Sequence, residues 1–426
     1  MKVLLLGSGG REHAIAWKLV ESSMLGELHI APGNAGMEAM RPVRPVMAPN
    51  LDPMDIPAVQ RYVKRHDITL VVVGPEAPLV AGLADALEAD GIAVIGPGAK
   101  GAQLEGSKDF AKAFMARHNI PTAAYKTFTA AEIDDAIAFL DTFQAPYVLK
   151  ADGLAAGKGV VIASDKAEAE AILRDMLLDK RFGDASSRVV IEEFLEGIEV
   201  SMFAITDGHS FHLLPSAKDY KRVGEGDTGP NTGGMGAISP VPFVTPEFQE
   251  KALNQIIIPT IKGLQSDGIP YKGFIFFGLM KVGGDPYVIE YNCRLGDPET
   301  EVIIPRIKSD LLHLFDSLAT GLLSECDLVI DERAASTVIL ASEGYPGSYE
   351  KGREISGADL ETRRGMIFHA GTKTFRNKLV TNGGRVLALT GWGTTLDSAL
   401  SSSYALAEKV TFEGAFFRKD IGNDVN

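Results

Sequence analysis

The residues with the most chemistry between them stand in one run, Tyr287-Val288-Ile289-Glu290-Tyr291-Asn292-Cys293-Arg294-Leu295-Gly296-Asp297-Pro298-Glu299. Side chains two apart on a strand share a face, so Glu290 and Asn292 point together while Ile289 and Tyr291 turn the other way. A carboxylate and an amide oxygen form a hard-oxygen pair suited to Mg²⁺, whose other positions phosphate oxygens and water would fill. If the strand continues, Arg294 lies on that face with a planar fork that fits a carboxylate or a phosphate. A merely half-exposed strand gives no reason for three polar groups on one side.

A second such run is Lys150-Ala151-Asp152-Gly153-Leu154-Ala155-Ala156-Gly157-Lys158-Gly159-Val160. The spacing is one residue short of a Walker A loop, and Gly159 replaces the hydroxyl residue that would hold the metal. What remains is a small-residue loop able to come close to phosphates, with Lys150 as a fixed cation at the end of a strand. Three strand-to-helix turns could meet anions through backbone amides: 7–13 with Gly9 and Gly10, 32–36 with Asn34, and 74–78 with Glu76. The first is not a dinucleotide fingerprint, because Glu12 stands at the third glycine position and no ribose-binding acid ends the second strand. The acidic run Glu192-Glu193-Phe194-Leu195-Glu196-Gly197 with Glu199 would by itself be a solvated face, although a strand leaving a small lobe can offer its backbone to an adenine edge. Residues 227–236, with Thr232 and Gly233, are too glycine-rich and too firmly flanked by apolar strands for a plain linker.

The elements that must position these groups follow from periodicity. Apolar runs at 3–6, 28–30, 69–73 and 93–95 alternate with helical stretches at 12–20, 58–65 and 80–89, which predicts βαβ units on a parallel sheet over residues 1–107. Residues 108–319 change character. Capping-box spacing at Thr129–Glu132 and Asp165–Glu168, with strands at 147–150, 159–163 and 189–194, predicts a small α+β lobe over about 126–194, and a larger lobe contains strands 274–282 and 287–292. After 330 the chain reads as a β-rich unit to 426. The expected fold class is α/β and α+β, multidomain.

Composition narrows the function. A chain of 426 residues with 45% hydrophobic content can bury several cores, and with only Cys293 and Cys326 a disulfide framework is excluded and a reducing, cytoplasmic setting expected. The formal net charge of −14 argues against nucleic acid or a membrane surface as partner. The apolar start at 3–6 is too short for a signal-peptide core, and no stretch reads as a bilayer span.

In this order the segments resemble the phosphoribosylamine–glycine ligase family of the ATP-grasp superfamily along nearly the whole chain. The matches are Gly-Gly-Arg-Glu-His at 9–13, Pro-Gly-Asn at 32–34, Val-Gly-Pro-Glu-Ala-Pro-Leu-Val at 73–80, the glycine-rich run at 150–160, Asp-Thr-Gly-Pro-Asn-Thr-Gly-Gly-Met-Gly at 227–236 and Gly-Asp-Pro-Glu-Thr at 296–300. Two more lie in the tail, at 344–350 and 418–422. The resemblance implies nucleotide held between two α+β lobes. It implies that Lys108, Lys150, Gly157 and Gly159 meet the ATP phosphates, that Glu192, Glu193 and Leu195 line the adenine, that Glu199 meets the ribose, and that Glu290 and Asn292 hold Mg²⁺ or Mn²⁺. Gly9, Gly10, Asn34, Glu76, Asp219, Thr232, Gly233 and Arg294 would bind glycine and 5-phosphoribosylamine, with Arg294, Lys150 and Asp219 in the catalytic roles. A monomer is expected, a weak dimer being the alternative. Another ATP-grasp carboxylate–amine ligase is the alternative activity. The sequence departs from the family pattern at Ser8, at Lys218 and Tyr220 around Asp219, and at Glu301, all expected nearer the amine and amino-acid end.

Overall fold

The computed structural model describes residues 1–155, 159–181, 183–359 and 362–425, without the side chains of 184 and 186. Its first sheet is parallel and five-stranded, with Val46–Met47, Glu27–Pro32, Lys2–Gly7, Leu70–Val73 and Ala93–Ile95 side by side in that order. Both faces of Lys2–Gly7 are covered, which explains its uninterrupted apolar run: Leu4 and Leu6 pack with Val59, Val63 and Leu83, whereas Val3 and Leu5 pack with Ile15 and Leu19. The expected helix at 80–89 is two pieces, Glu76–Val80 and Leu83–Ala89, because Gly82 adopts a left-handed φ of 89° between them. Strand order reverses between Lys2–Gly7 and Leu70–Val73, so the glycine turn after residue 7 and the Pro75-Glu76 turn share the crevice where such sheets bind ligands.

A small antiparallel sheet follows, ordered Tyr125–Thr129, Arg188–Glu193, Tyr147–Ala151, Val160–Ala163. Helices Ile133–Phe139 and Lys166–Leu177 bury Ala136, Leu173 and Met176 against its Phe128, Leu149 and Ile191. The Thr129 box closes as expected, with Glu132 accepting from the Thr129 amide at 2.9 Å. At the second helix Asp165 caps the Glu168 amide, but Glu168 turns back to the Ser164 amide instead. The larger antiparallel sheet runs Phe211–Leu213, Ile198–Thr206, Gly273–Val282, Asp285–Asn292.

The last large sheet combines Ala334–Ser342, Arg385–Gly393 and Gly365–His369 with Lys218–Asp219 and Gly236–Ser239. The two short strands precede this region by a long stretch of chain, and their pairing is non-local, which periodicity does not report. Through them the Asp219 segment and the 227–236 loop are anchored on the C-terminal sheet.

Candidate active site

Three elements bring the lysines together. Lys108 opens helix Lys108–Arg117 behind the Ser107 cap, and its ammonium donates to the Gly153 carbonyl at 3.0 Å. Asp152 fixes this junction by accepting from the Ser107 hydroxyl at 2.9 Å and the Asp109 amide at 3.2 Å. Gly159 closes the other side of the turn, its carbonyl accepting from the Ala151 amide at 2.8 Å. Gly157 lies outside the described residues. Lys150 is buried; its Nζ donates to the Ile289 carbonyl at 3.0 Å and lies 3.0 Å from Glu192 Oε1. Glu192 Oε2 lies 3.1 Å from a second buried lysine, Lys112.

The strand bearing Glu290 is not regular. Gly278 pairs with Glu290 and Leu279 with Val288, so Ile289 is an extra residue, and the bulge turns its carbonyl to Lys150. Beyond the bulge Glu290 and Asn292 resume the two-residue alternation, while Tyr291 goes into the core and meets the Thr260 hydroxyl at 2.9 Å. Burial disfavours the Glu290 carboxylate, but Lys221, Lys150, Lys108 and Arg294 together outweigh it and hold its pKa below the ordinary value. The strand ends at Asn292, yet Arg294 stays beside it, donating to Asn292 Oδ1 at 3.2 Å. Glu290 and Asn292 therefore face one cluster of cations. Among the described residues no three His, Cys, Asp or Glu side chains form a metal cage. A carboxylate with an amide oxygen, completed by phosphate oxygens and water, is the donor set Mg²⁺ accepts with nucleotides, and the second lone pair of the Asn292 oxygen is compatible with it.

Arg294 is far from a free clamp. Its fork donates to Glu76 at 3.3 Å, Glu105 at 2.8 Å, Asn292 and the Leu295 carbonyl, leaving one of its five N–H groups for a ligand. Glu105 also accepts from the Cys293 amide at 2.8 Å. The first glycine turn is similarly occupied. Gly9 donates to Glu12 at 2.7 Å and Arg11 N to Asp297 at 3.4 Å, and a Cβ at Gly7 or Gly74 would overlap the Glu12 side chain. The expected anion cradle at Gly9 and Gly10 is thus partly filled by the protein's own carboxylates. Glu301, directly after the Gly-Asp-Pro-Glu-Thr segment, lies against Gly10 with both oxygens buried and unbonded; burial and the Asp297 charge push its pKa up.

The remaining expected residues divide. Asn34 is a structural clamp: its amide donates to Ser8 O at 2.9 Å and His369 O at 2.7 Å, and its oxygen caps Gly36 and Met37, so the side chain is not available to substrate. Glu199 pairs with Lys221 at 2.6 Å beside Glu290 in one small pocket. Glu193 is exposed and Leu195 half-buried at the crossing between the two lobes. Asp219 faces the cleft, where burial raises its pKa against the pull of Lys221. Its neighbours in sequence face away: Lys218 lies 2.9 Å from Asp424, and the Tyr220 hydroxyl donates to Asp424 at 2.6 Å, so these two departures from the family pattern grip the C-terminal tail. Thr232 Oγ1 donates to the Lys221 carbonyl at 2.8 Å, and Gly233 is tied to Tyr345 and Arg385. Sequence reading missed Glu105, Lys112, Lys221 and Arg385, each of which acts through partners distant in the chain.

Comparison with known proteins fits this arrangement. Models of the phosphoribosylglycinamide synthetase N domain, ATP-grasp (A) domain and C domain match residues 1–105, 106–300 and 335–424. Phosphoribosylamine–glycine ligase of Vibrio cholerae is 48% identical over 424 residues, 99% of this chain and 98% of its own. The Salmonella typhimurium protein of that name is 50% identical over 427 residues, again 99% of this chain and 98% of its own. The crystal structure of phosphoribosylamine–glycine ligase from Thermotoga maritima is similar at a TM-score of 0.86 with 37% identity, covering 99% of this chain and 100% of that one. The biotin carboxylase domain of Hydrogenobacter thermophilus 2-oxoglutarate carboxylase, solved with MgADP, has a TM-score of 0.76 at 15% identity over 98% of this chain and 91% of that one, a likeness of fold alone. The chain belongs to the phosphoribosylamine–glycine ligase family, on an ATP-grasp fold.

Proposed function

We propose that the protein joins glycine to 5-phosphoribosylamine at the expense of ATP, giving glycinamide ribonucleotide, ADP and phosphate in purine synthesis. The observation that carries this reading is the convergence of Lys108, Lys150, Lys221 and Arg294 on the single carboxylate of Glu290. That is a place for a polyanion and a divalent cation together.

A carboxylate is a poor acylating agent until its oxygen becomes a better leaving group. In the first step a glycine carboxylate oxygen attacks the γ-phosphorus, the bond to the ADP oxygen breaks, and glycyl phosphate forms. In the second the amine nitrogen of phosphoribosylamine attacks the acyl carbon, the bond to phosphate breaks, and the amine loses a proton to the departing phosphate or to water. No protein nucleophile is required. Lys108 and Lys150 hold phosphates, Glu192, Glu193 and Leu195 border the base, and Glu199 meets the ribose. Glu290 and Asn292 would hold Mg²⁺, or Mn²⁺, which supplies neutralisation of the phosphate charge. Arg294, through its remaining N–H, orients the carboxylate that reacts, while Asp219, Glu76 and the Gly9-Gly10 and Thr232-Gly233 backbones border the substrates. Positioning and fixed charge supply the rate.

The test is ADP release with freshly generated phosphoribosylamine across a panel of amino acids. Release that needs both glycine and phosphoribosylamine is expected. Equal release with other amino acids, or no dependence on phosphoribosylamine, would assign the site to another carboxylate–amine ligase.

A further inference from the structure

Lys112 has no place in the chemistry above, yet it is one of the most buried cations of the molecule, with 2% of its side chain exposed. It stands one helical turn after Lys108 on helix Lys108–Arg117, so the two lysines share a face. Its ammonium lies 3.1 Å from Glu192 Oε2, donates to the Thr122 hydroxyl at 2.8 Å and the Ala123 carbonyl at 3.4 Å, and sits 5.2 Å from the centre of the Tyr125 ring. Thr122 in turn donates to the Val288 carbonyl at 2.7 Å, next to the bulge that receives Lys150. Glu192 is therefore shared, one oxygen toward each of two buried lysines, and Oε1 makes no aligned hydrogen bond of its own.

A single carboxylate between two ammonium groups neutralises only one of them. We propose that Lys112 is a positioning residue for nucleotide binding: by holding one oxygen of Glu192 it keeps that carboxylate from neutralising Lys150, whose charge is then left for a nucleotide phosphate. This rests on the phosphate role given to Lys150 above. Without the Lys112 charge, Glu192 and Lys150 form a closed pair and the site loses one positive charge, which weakens its hold on an anion.

The same geometry sets a pH dependence. Burial, only partly offset by Glu192, pushes the Lys112 pKa down to about 8. The charged groups around it are Glu192 on Arg188–Glu193, Lys150 on Tyr147–Ala151 and Lys108 on its own helix, with Tyr125, whose burial raises its pKa, on Tyr125–Thr129. The cation is present below about pH 8 and lost above it, so nucleotide affinity should fall as pH rises through that region.

The experiment measures ADP affinity by calorimetry, with magnesium present, and the ATP KM in the glycine-dependent assay, from pH 7 to 9.5. In the unsubstituted protein both should weaken on passing about pH 8. Lys112→Arg keeps its charge throughout and should show a clearly smaller alkaline fall than the unsubstituted protein; Lys112→Met should raise the ATP KM by about fivefold to tenfold at pH 7, the effect of one charge-assisted contact, with little change in kcat. Any other group that titrates in this range does so in both proteins and cancels in the comparison. An alkaline fall in affinity identical in the arginine variant would overturn the proposal, as would a normal KM in the methionine variant. If neither variant folds, a flat ADP affinity of the unsubstituted protein across the range overturns it. Absence of glycine-dependent turnover with ADP binding intact would count against the ligase reading and leave Lys112 to be judged on ADP affinity.

Discussion

The two ends of the cleft carry positive charge in different ways. At one end it sits on lysines: Lys112 and Lys150 share Glu192, and Lys108 is bonded to a carbonyl, so cationic charge is left over. At the other it sits on arginines already matched to acids, Arg294 with Glu76 and Glu105, Arg11 with Glu12, Arg385 with Asp297. Buried Glu299 and Glu301 add further acid there. A lysine is a compact charge whose pKa moves with its surroundings, whereas arginine is a rigid fork that stays charged. The lysine end is arranged to receive a polyanion that arrives and leaves. The arginine end is arranged to be rigid before anything binds, which is what two reactants meeting in one geometry require.

The largest expected effect lies where the ends meet. Glu290→Ala removes the carboxylate on which cations from both ends converge. Turnover should fall by on the order of 10²–10³ or more, with the melting temperature close to that of the unsubstituted protein. Near-normal kcat at ordinary magnesium would remove Glu290 from the metal site and erase the distinction between a receiving end and a fixed one.

The next effect should be on stability. Glu105→Ala leaves Arg294 with Glu76 as its one acid partner and takes the acceptor from the Cys293 amide. Breaking a buried pair by removing one partner should cost about 3 kcal/mol, read as a fall in denaturant midpoint. A loss of activity with unchanged stability would mean that Glu105 belongs to the chemistry and not to the frame.

A third effect is a pH dependence at the arginine end. Burial, together with the neighbouring Asp219 charge, raises the Glu299 pKa from an ordinary 4.5 to about 8. The folded protein therefore holds a proton that the unfolded chain has released, and the stability this contributes is full below about pH 4.5 and lost as pH rises through about 8. Glu299→Gln mimics the protonated form. Relative to the unsubstituted protein it should melt at a similar temperature at pH 5 and a few degrees higher at pH 8.5. A constant difference at both pH values would show that Glu299 is ionised throughout.

Some of this could be read in the sequence because the signal was local. The alternation of Glu290 and Asn292 is a strand period, the Thr129 box is a spacing of three, and the apolar run at 3–6 declares a strand, whereas Arg294 keeps to their side although the strand has ended. What stayed hidden depends on pairing across the chain. A lysine four residues into a helix, such as Lys112, reads as part of a solvated face until Glu192 is folded over it. The extra residue at Ile289 appears only when Asp285–Asn292 is laid beside Gly273–Val282. Asn34 and Glu12 have the residue types of ligand-binding positions, but the geometry gives their polar atoms to the turns that hold them.

The smallest effect concerns the residues around Asp219. Lys218 and Tyr220 flank Asp219, one on the strand Lys218–Asp219 and one just past it, and both side chains meet the C-terminal tail. The Tyr220 hydroxyl donates to Asp424 and accepts from the Gly422 amide at 2.9 Å, while the Lys218 ammonium lies 3.8 Å from the centre of its ring. Tyr220→Phe keeps the ring and removes only the two hydrogen bonds, so it should cost about 1 kcal/mol of stability. The KM for glycine and for phosphoribosylamine should stay within about twofold, since a change this small moves no group on the Asp219 face. A selective rise in one of these KM values would mean that the tail sets the position of Asp219, and that the arginine end is less rigid than its paired charges imply.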